Sequence, residues 1–299
     1  MNNPILITGI HRSGSTWMGK IFEIAPELRY VHEPFNFTKH SHAPFDTWFY
    51  YVNDATPVEK VSEIESYLKS FQQWSLPDLV SRIQKTKYPG QVRDAVIDQI
   101  HRKTRRPLFK DPIAIMSSEW FYKHLASEVI VSIRHPAAFV ASLKVNDWHF
   151  NFENFLKQEN LMNDKLFAFK REIEQQVKKR GNITEQGILL WNCVYSVVQG
   201  FKTSYVNTPE WSFVRHEDVS LDPLNTFEHL FKKHRLTFTP KVKAAILSST
   251  QSTEKQYLAR NSKDNITSWK ERLTAEEIAR IKEGTKEVWP LFYSEKDWH

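Results

Sequence analysis

The chain has 299 residues, 40% of them hydrophobic and 25% charged, which is ordinary for a globular protein and enough for one large α/β domain or two small ones. Its one cysteine, Cys193, excludes an internal disulfide and a Cys-based zinc site, and no apolar run is long enough to span a bilayer. The net charge of +6 points to an anionic partner. Basic clusters lie at His101–Arg106, Lys170–Arg180 and Lys232–Lys243, but none shows a nucleic-acid motif, and the second is interleaved with Glu172 and Glu174 as on a solvated helix face. An anionic donor or acceptor explains the sign as well, so nucleic-acid binding is not expected. The first strand begins almost at Met1, which leaves no signal peptide, and the chain reads as cytoplasmic.

Ile5, Leu6 and Ile7 form a run short enough for a buried strand. A turn with Gly9 and Gly14 follows, and Trp17, Met18, Ile21, Phe22 and Ala25 then share one face of a helix. Strand, Gly-containing loop and helix N-terminus make a cradle in which backbone N–H groups converge on an anion. The spacing Gly9-x-x-x-x-Gly14 is that of a P-loop, but Ser15 stands where a nucleotide triphosphatase has Lys. Thr16 keeps the final hydroxyl position, and the positive charge has moved back to Arg12. Without that Lys a kinase lacks a main stabiliser of the β- and γ-phosphates. An Arg inside the loop suits an anion docked end-on, such as a phosphosulfate, which needs no metal.

Arg12-Ser13-Gly14-Ser15-Thr16-Trp17 resembles the 5′-phosphosulfate loop of sulfotransferases that use 3′-phosphoadenosine 5′-phosphosulfate. The resemblance implies that His11, Arg12, Ser13, Gly14, Ser15, Thr16 and Trp17 hold the donor. Leu28 to Val31 reads as the second strand, and His32-Glu33-Pro34 at its carboxyl end is expected beside the phosphate loop. This tripeptide resembles the Glu-Pro pair of carbohydrate-type sulfotransferases, where the Glu is the proposed catalytic base. Residues 36 to 106 are mostly helical, with a capping box at Thr56-Pro57-Val58-Glu59 and further helices over Leu79–Lys85 and Val92–Lys103. Aromatic and His residues from His40 to Tyr51 fit either core packing or the wall of an acceptor cleft.

Leu108-Phe109-Lys110 is the third strand. In cytosolic sulfotransferases the corresponding strand ends in Lys, and a His base comes two residues later; here Lys110 fits and Pro112 replaces the His. That departure strengthens Glu33 as base and leaves Lys110 to neutralise charge on the bridging oxygen. Val129 to Ile133, apolar apart from Ser132, reads as a central parallel strand. It is followed by Arg134-His135-Pro136 instead of an acidic metal ligand. Arg134 and Ser142, eight residues on, match the family's 3′-phosphate site. One long polar helix is expected over Phe152–Lys179 and another over Thr184–Val206, before a fifth strand at Phe213-Val214. Glu217 and Asp218 read as structural, Asp222-Pro223 starts a helix, and Thr274 to Glu277 caps a last one. In relatives a basic loop before a Trp-Lys pair closes over the 3′-phosphate. Arg260, ahead of Trp269-Lys270, is matched to it, although this loop lacks Gly.

The expected fold is a single α/β domain over 1–299, P-loop-like and three-layered, with a central parallel sheet of about five strands and helical insertions on the acceptor side. The resemblance implies sulfuryl transfer from 3′-phosphoadenosine 5′-phosphosulfate to a hydroxyl or amine of a small-molecule or glycan acceptor. Glu33, Arg12 and Lys110 would do the chemistry, and no metal would be required. Two rivals stay open: a P-loop kinase needing Mg²⁺ and ATP, and a non-catalytic module that binds nucleotide or polyanion. Neither the acceptor nor the oligomeric state can be read from the sequence.

Overall fold

The five apolar segments become the five strands of one parallel sheet in a computed structural model that describes residues 3–40, 42–251 and 264–299. The strands are β1 (Ile5–Gly9), β2 (Leu28–His32), β3 (Arg106–Lys110), β4 (Glu128–Ile133) and β5 (Trp211–Arg215), in the order β2-β3-β1-β4-β5. Every pairing is parallel. β1 and β4 are buried along their whole length, as a strand covered on both faces must be, whereas the edge strands β2 and β5 are only partly covered.

The helices, in chain order, are α1 (Ser15–Phe22), α2 (Val58–Ser70), α3 (Leu76–Gln84), α4 (Pro89–Thr104), α5 (Ser118–Leu125), α6 (Pro136–Val145), α7 (Glu153–Leu156), α8 (Glu159–Asp164), α9 (Lys170–Lys178), α10 (Ile183–Tyr205), α11 (His216–Leu221), α12 (Pro223–Lys233), α13 (Pro240–Gln251), α14 (Asp264–Thr267) and α15 (Ala275–Gly284). Alternation along the strands sorts them into two layers. Leu6, Phe109, Val129 and Val131 pack on α5, α6 and α10. Ile5, Ile7, Leu108 and Ile130 pack instead on Met18 and Phe22 of α1 and on Phe227 and Phe231 of α12. The chain turns to opposite sides of β1, so the carboxyl ends of β1, β3 and β4 open on a crevice at the switch point, where open α/β sheets bind ligands.

Three expectations are corrected. β2 pairs with β3 and not with β1, so Glu33 stands one strand away from the phosphate loop. The long helix over 152–179 is broken into α7, α8, a 3₁₀ turn at Phe167–Phe169 and α9. There Asn154 Oδ1 accepts from Trp48 N (2.9 Å) and Gln158 Oε1 from Tyr51 N (2.8 Å), while Phe155, Leu161, Met162 and Leu166 are all buried, so tertiary contacts override the helical pattern. The capping box at Thr56 does not close. Pro57 is the N-cap of α2, and the Thr56 hydroxyl accepts from Asn53 N (3.0 Å).

Candidate functional site

The loop after β1 is shaped by close approach. Gly9 has φ 148°, and a Cβ there would lie 2.4 Å from the Ser132 carbonyl oxygen on β4. Ser132 Oγ donates to Ser13 O (2.7 Å), and Ser13 N closes the turn on Ile10 O (3.1 Å). Arg12 takes φ 65°, a left-handed conformation that costs about 1 kcal/mol or more and persists where the surroundings fix it. Gly14, φ 91°, is the N-cap of α1; a side chain there would strike the His216 ring at 2.3 Å. The first-turn N–H groups of Ser15, Thr16 and Trp17 have no intrahelical acceptors, and Gly14 supplies no capping side chain to accept from them, so they stand open at the positive end of the helix dipole.

Arg134, at the end of the neighbouring β4, donates from Nη1 to the Arg12 carbonyl. Its own peptide is fixed by α10, through Tyr195 Oη, which accepts from its N–H (2.8 Å), and Trp191 Nε1, which donates to its carbonyl (2.9 Å). Arg12 Nε donates to Ser142 Oγ (2.8 Å), and the guanidinium stands 5.7 Å from the centre of the Trp148 ring. Glu217 is structural as expected: it accepts from His135 N (3.0 Å) and Tyr293 Oη (2.9 Å). Polar atoms of the loop and its neighbours are buried without a hydrogen-bond partner, among them His11 Nδ1, Ser13 Oγ, Arg134 Nε and His216 Nδ1. Burial, and then the Arg134 charge, hold His216 neutral with a pKa of about 3.

The other end of the crevice is built differently. Glu33 takes φ 47°, and its N–H donates to Lys110 O (2.9 Å). Its Oε1 accepts from Lys110 Nζ (2.5 Å), and its Oε2 accepts from Lys39 Nζ (2.6 Å) and Asn36 Nδ2 (3.0 Å). Burial alone would raise the Glu33 pKa; the Lys110 charge and the three hydrogen bonds outweigh it and hold the carboxylate at about 2. The Lys110 stem passes under α1 at Gly19, where a Cβ would meet its Cγ at 2.8 Å. Asp111 lies behind, fully buried, accepting from Phe35 N (2.6 Å) and Ile113 N (3.1 Å); burial raises its pKa to about 7 against those bonds.

These pieces line one cavity of about 910 Å³. Of the predicted residues, His11, Arg12, Gly14, Ser15, Thr16, Trp17, Glu33 and Arg134 are on its wall. Ser13, Lys110 and Ser142 are not: the Ser13 hydroxyl is buried beside Gly9, Lys110 lies beneath Glu33, and Ser142 lies beneath Arg12. Arg260 lies outside the described residues. Trp48 is on the wall, whereas Phe45, Phe49 and Tyr51 of the same aromatic run belong to the core. Sequence reasoning missed Lys39, Trp148 and His216, which come from loops or a strand end with no periodicity, and Gly19, whose place in a helix was the one available signal. Among the described residues no group of three or more His, Cys, Asp or Glu could hold a metal ion.

No protein-family model and no curated protein matches the sequence. Solved structures do match. The sulfotransferase domain from the curacin biosynthetic pathway aligns over 96% of this chain and 98% of its own, with 12% identity and a TM-score of 0.52. The sulfotransferase domain from the Synechococcus PCC 7002 olefin synthase aligns over 98% of this chain and 97% of its own, with 14% identity and a TM-score of 0.51. At such identities the likeness is one of fold, and the fold is that of sulfotransferases.

Proposed function

We propose that this chain, a single domain over 1–299 with the sulfotransferase fold, transfers a sulfuryl group from 3′-phosphoadenosine 5′-phosphosulfate to a hydroxyl or amine of a small-molecule or glycan acceptor. One observation carries the reading. The uncapped N-terminus of α1 and the guanidinium of Arg134 meet at the adjoining ends of β1 and β4, around Arg134 Nε, His216 Nδ1 and His11 Nδ1, which are buried without hydrogen-bond partners on residues that line the cavity. Buried polar atoms are normally satisfied, so such a cluster fits a polyanion that supplies the acceptors. A triphosphate held with Mg²⁺ would want a Lys after Gly14 and an acid after β4, and the chain has Ser15 and Arg134 there.

The donor supplies an activated sulfuryl group on a phosphate leaving group. The N–H groups of Ser15, Thr16 and Trp17 and the guanidinium of Arg12 hold that phosphate and stabilise the charge that grows on it. Arg134 holds the 3′-phosphate, and Ser142 acts through Arg12, whose orientation it fixes. Lys110 balances the charge of Glu33. Glu33 is ionised but, with both oxygens taken, a weak base, since catalytic bases work best with a pKa near the working pH. To take the acceptor's proton it exchanges the bond from Lys39, whose side chain is half exposed, for the acceptor hydroxyl, while the buried Lys110 stays.

The test is transfer of labelled sulfuryl group from the donor to a panel of glycans, lipids and phenols, beside thermal melting with adenosine 3′,5′-bisphosphate. Transfer to any acceptor, with stabilisation by the bisphosphate well above that from AMP or from ATP with Mg²⁺, supports the reading. Stabilisation by ATP with Mg²⁺ to the same degree favours a kinase. Bisphosphate binding without transfer leaves a binding module.

A further inference from the structure

The basic cluster at 101–106 belongs to a surface that the cavity does not use. Of the fourteen large apolar side chains exposed among the described residues, seven fall between residues 74 and 100, on or beside α3 and α4. Both helices expose an apolar stripe. Leu76, Val80 and Ile83 follow helical spacing on α3, and Val96 and Ile100 do so on α4. The sides that face each other are fixed by Ser75 N donating to Gln99 Oε1 (2.9 Å), Gln99 Nε2 to Asp78 (3.1 Å) and Arg82 Nη1 to Asp98 (2.8 Å). At about 100° per residue, each stripe stands roughly a third of a turn from its helix's facing side, in the same rotational sense. The two helices run antiparallel, so equal rotations bring both stripes to one surface.

That surface is cationic. Residues 74–105 hold seven Lys and Arg against three Asp. Asp78 and Asp98 are engaged by Arg102, Arg82 and Arg29, and Asp94 points about half a turn away from the α4 stripe. Arg93 and Lys103 flank Val96 and Ile100 along the stripe, and Lys85 and Lys87 stand in the connecting loop, all exposed. Trp74 and Tyr88, 47% and 69% exposed, mark the two ends of the hairpin.

We propose that the α3–α4 face docks on an anionic lipid bilayer, lying on the surface without crossing it. Aliphatic stripes with Lys and Arg beside them and aromatic rings at both ends match the boundary between acyl chains and anionic headgroups. Their long stems let the ammonium and guanidinium groups reach phosphates while the stripe sinks in. A nucleic acid would find the charges but no use for five aliphatic side chains. A second copy of this face would bring like charges together. The proposal concerns a surface distinct from the cavity and does not depend on the reading of its chemistry.

The experiment is co-sedimentation of the full chain with vesicles of phosphatidylcholine alone and of phosphatidylcholine with an equal part of phosphatidylserine. Binding is expected to the anionic vesicles only, and to weaken as salt screens the charges. Val80→Glu with Ile100→Glu should abolish it. Lys85→Gln with Lys87→Gln should weaken it by roughly five-fold per residue, from about 1 kcal/mol for each basic group near the surface. Both pairs are exposed and outside the cavity, so melting temperature and bisphosphate binding should stay at wild-type values, which separates lost docking from lost folding. No sedimentation with anionic vesicles, equal sedimentation with neutral ones, or binding that neither variant changes overturns the proposal. So does a concentration-dependent dimer in sedimentation velocity that Val80→Glu with Ile100→Glu removes, since that assigns the face to a second copy.

Discussion

The two ends of the cavity treat their polar groups in opposite ways. At the β1–β4 end, hydrogen-bonding capacity is left over: first-turn N–H groups without acceptors and buried side-chain atoms of His11, Arg134 and His216 without partners. At the β2–β3 end it is used up, with both oxygens of Glu33 held by Lys110, Lys39 and Asn36. A site with unspent donors is preorganised and gains by filling. A site closed on itself must break a bond before it can act, and the bond that opens most readily is the exposed one, from Lys39. Under the proposed function, the contrast separates the tasks: the first end would bind and the second would react.

The most damaging way to break the contrast is at Glu33. Glu33→Gln keeps shape and most hydrogen bonds but loses basicity, so single-turnover transfer should fall by about 10²- to 10⁴-fold while affinity for adenosine 3′,5′-bisphosphate holds. Asp111→Asn should be milder, because Asp111 is itself off the cavity wall, fully buried and engaged in capping backbone N–H groups, and so should His32→Asn. Near-full activity in Glu33→Gln with loss in His32→Asn would move the base to His32, which also lines the cavity. Arg12→Ala comes next. Removing one donor to developing charge typically costs on the order of 10²–10³ in rate, and the loss in turnover should exceed the loss in product affinity. An effect confined to the donor KM would make Arg12 a docking residue.

Arg134→Ala tests the binding end by itself. Losing charge-assisted hydrogen bonds worth roughly 1.5–3 kcal/mol should weaken bisphosphate binding by about ten- to a hundred-fold, measured by titration calorimetry. The affinity for AMP, which lacks the 3′-phosphate, should barely move; an equal loss for both would place Arg134 elsewhere on the donor. Lys39→Met sharpens the reacting end. Removing that hydrogen bond raises the Glu33 pKa, so the acid limb of the pH–rate profile should move to higher pH, and Lys39→Arg should return it. A limb that stays in place would mean that Lys39 does not govern the base.

Much of the binding end was legible in the sequence because it is local. Gly9, Arg12 and Gly14 lie within six residues, and their conformations follow from the close approach of β4 and of the His216 ring. Arg134 was legible because the β-branched apolar run Val129–Ile133, interrupted only by Ser132, marks its own end. The reacting end was harder. Glu33 and Lys110 were readable one by one, but their bond depends on β3 lying between β2 and β1, and strand order is set by packing between segments 77 positions apart. Lys39 reaches Glu33 from a loop with no period to announce it. The broken helix over 152–179 failed for the same reason: Asn154 and Gln158 answer to a loop about 107 residues away.

The smallest effect lies in stability against pH, where the carboxylates of Glu33 and Asp111 carry opposite signs. Glu33 has its folded pKa depressed to about 2 from 4.5, so its contribution is present above about 4.5 and is lost as pH falls toward 2. Solvent screening at the half-exposed Lys39 side reduces this to roughly 1–2 kcal/mol. Asp111 has its folded pKa raised to about 7 from 3.8, so across that window the native state binds more protons than the unfolded chain and stability falls as pH rises. Glu128, held at about 2 chiefly against its burial by His234 and Arg106, adds to the acid slope of the wild type, so only the difference between variant and wild type isolates each group. In urea midpoints taken from pH 2 to 8, Glu33→Gln should flatten the rise below about pH 4.5 and, because the Glu33 charge helps raise the Asp111 pKa, make the decline above it shallower. Asp111→Asn should flatten the decline between about pH 4 and 7, its amide oxygen keeping one of the backbone bonds. If Glu33→Gln ran parallel to the wild type throughout the acid range, the carboxylate would not be held by Lys110 and Lys39 as a closed pair, and the contrast between the two ends of the cavity would fail at its reacting end.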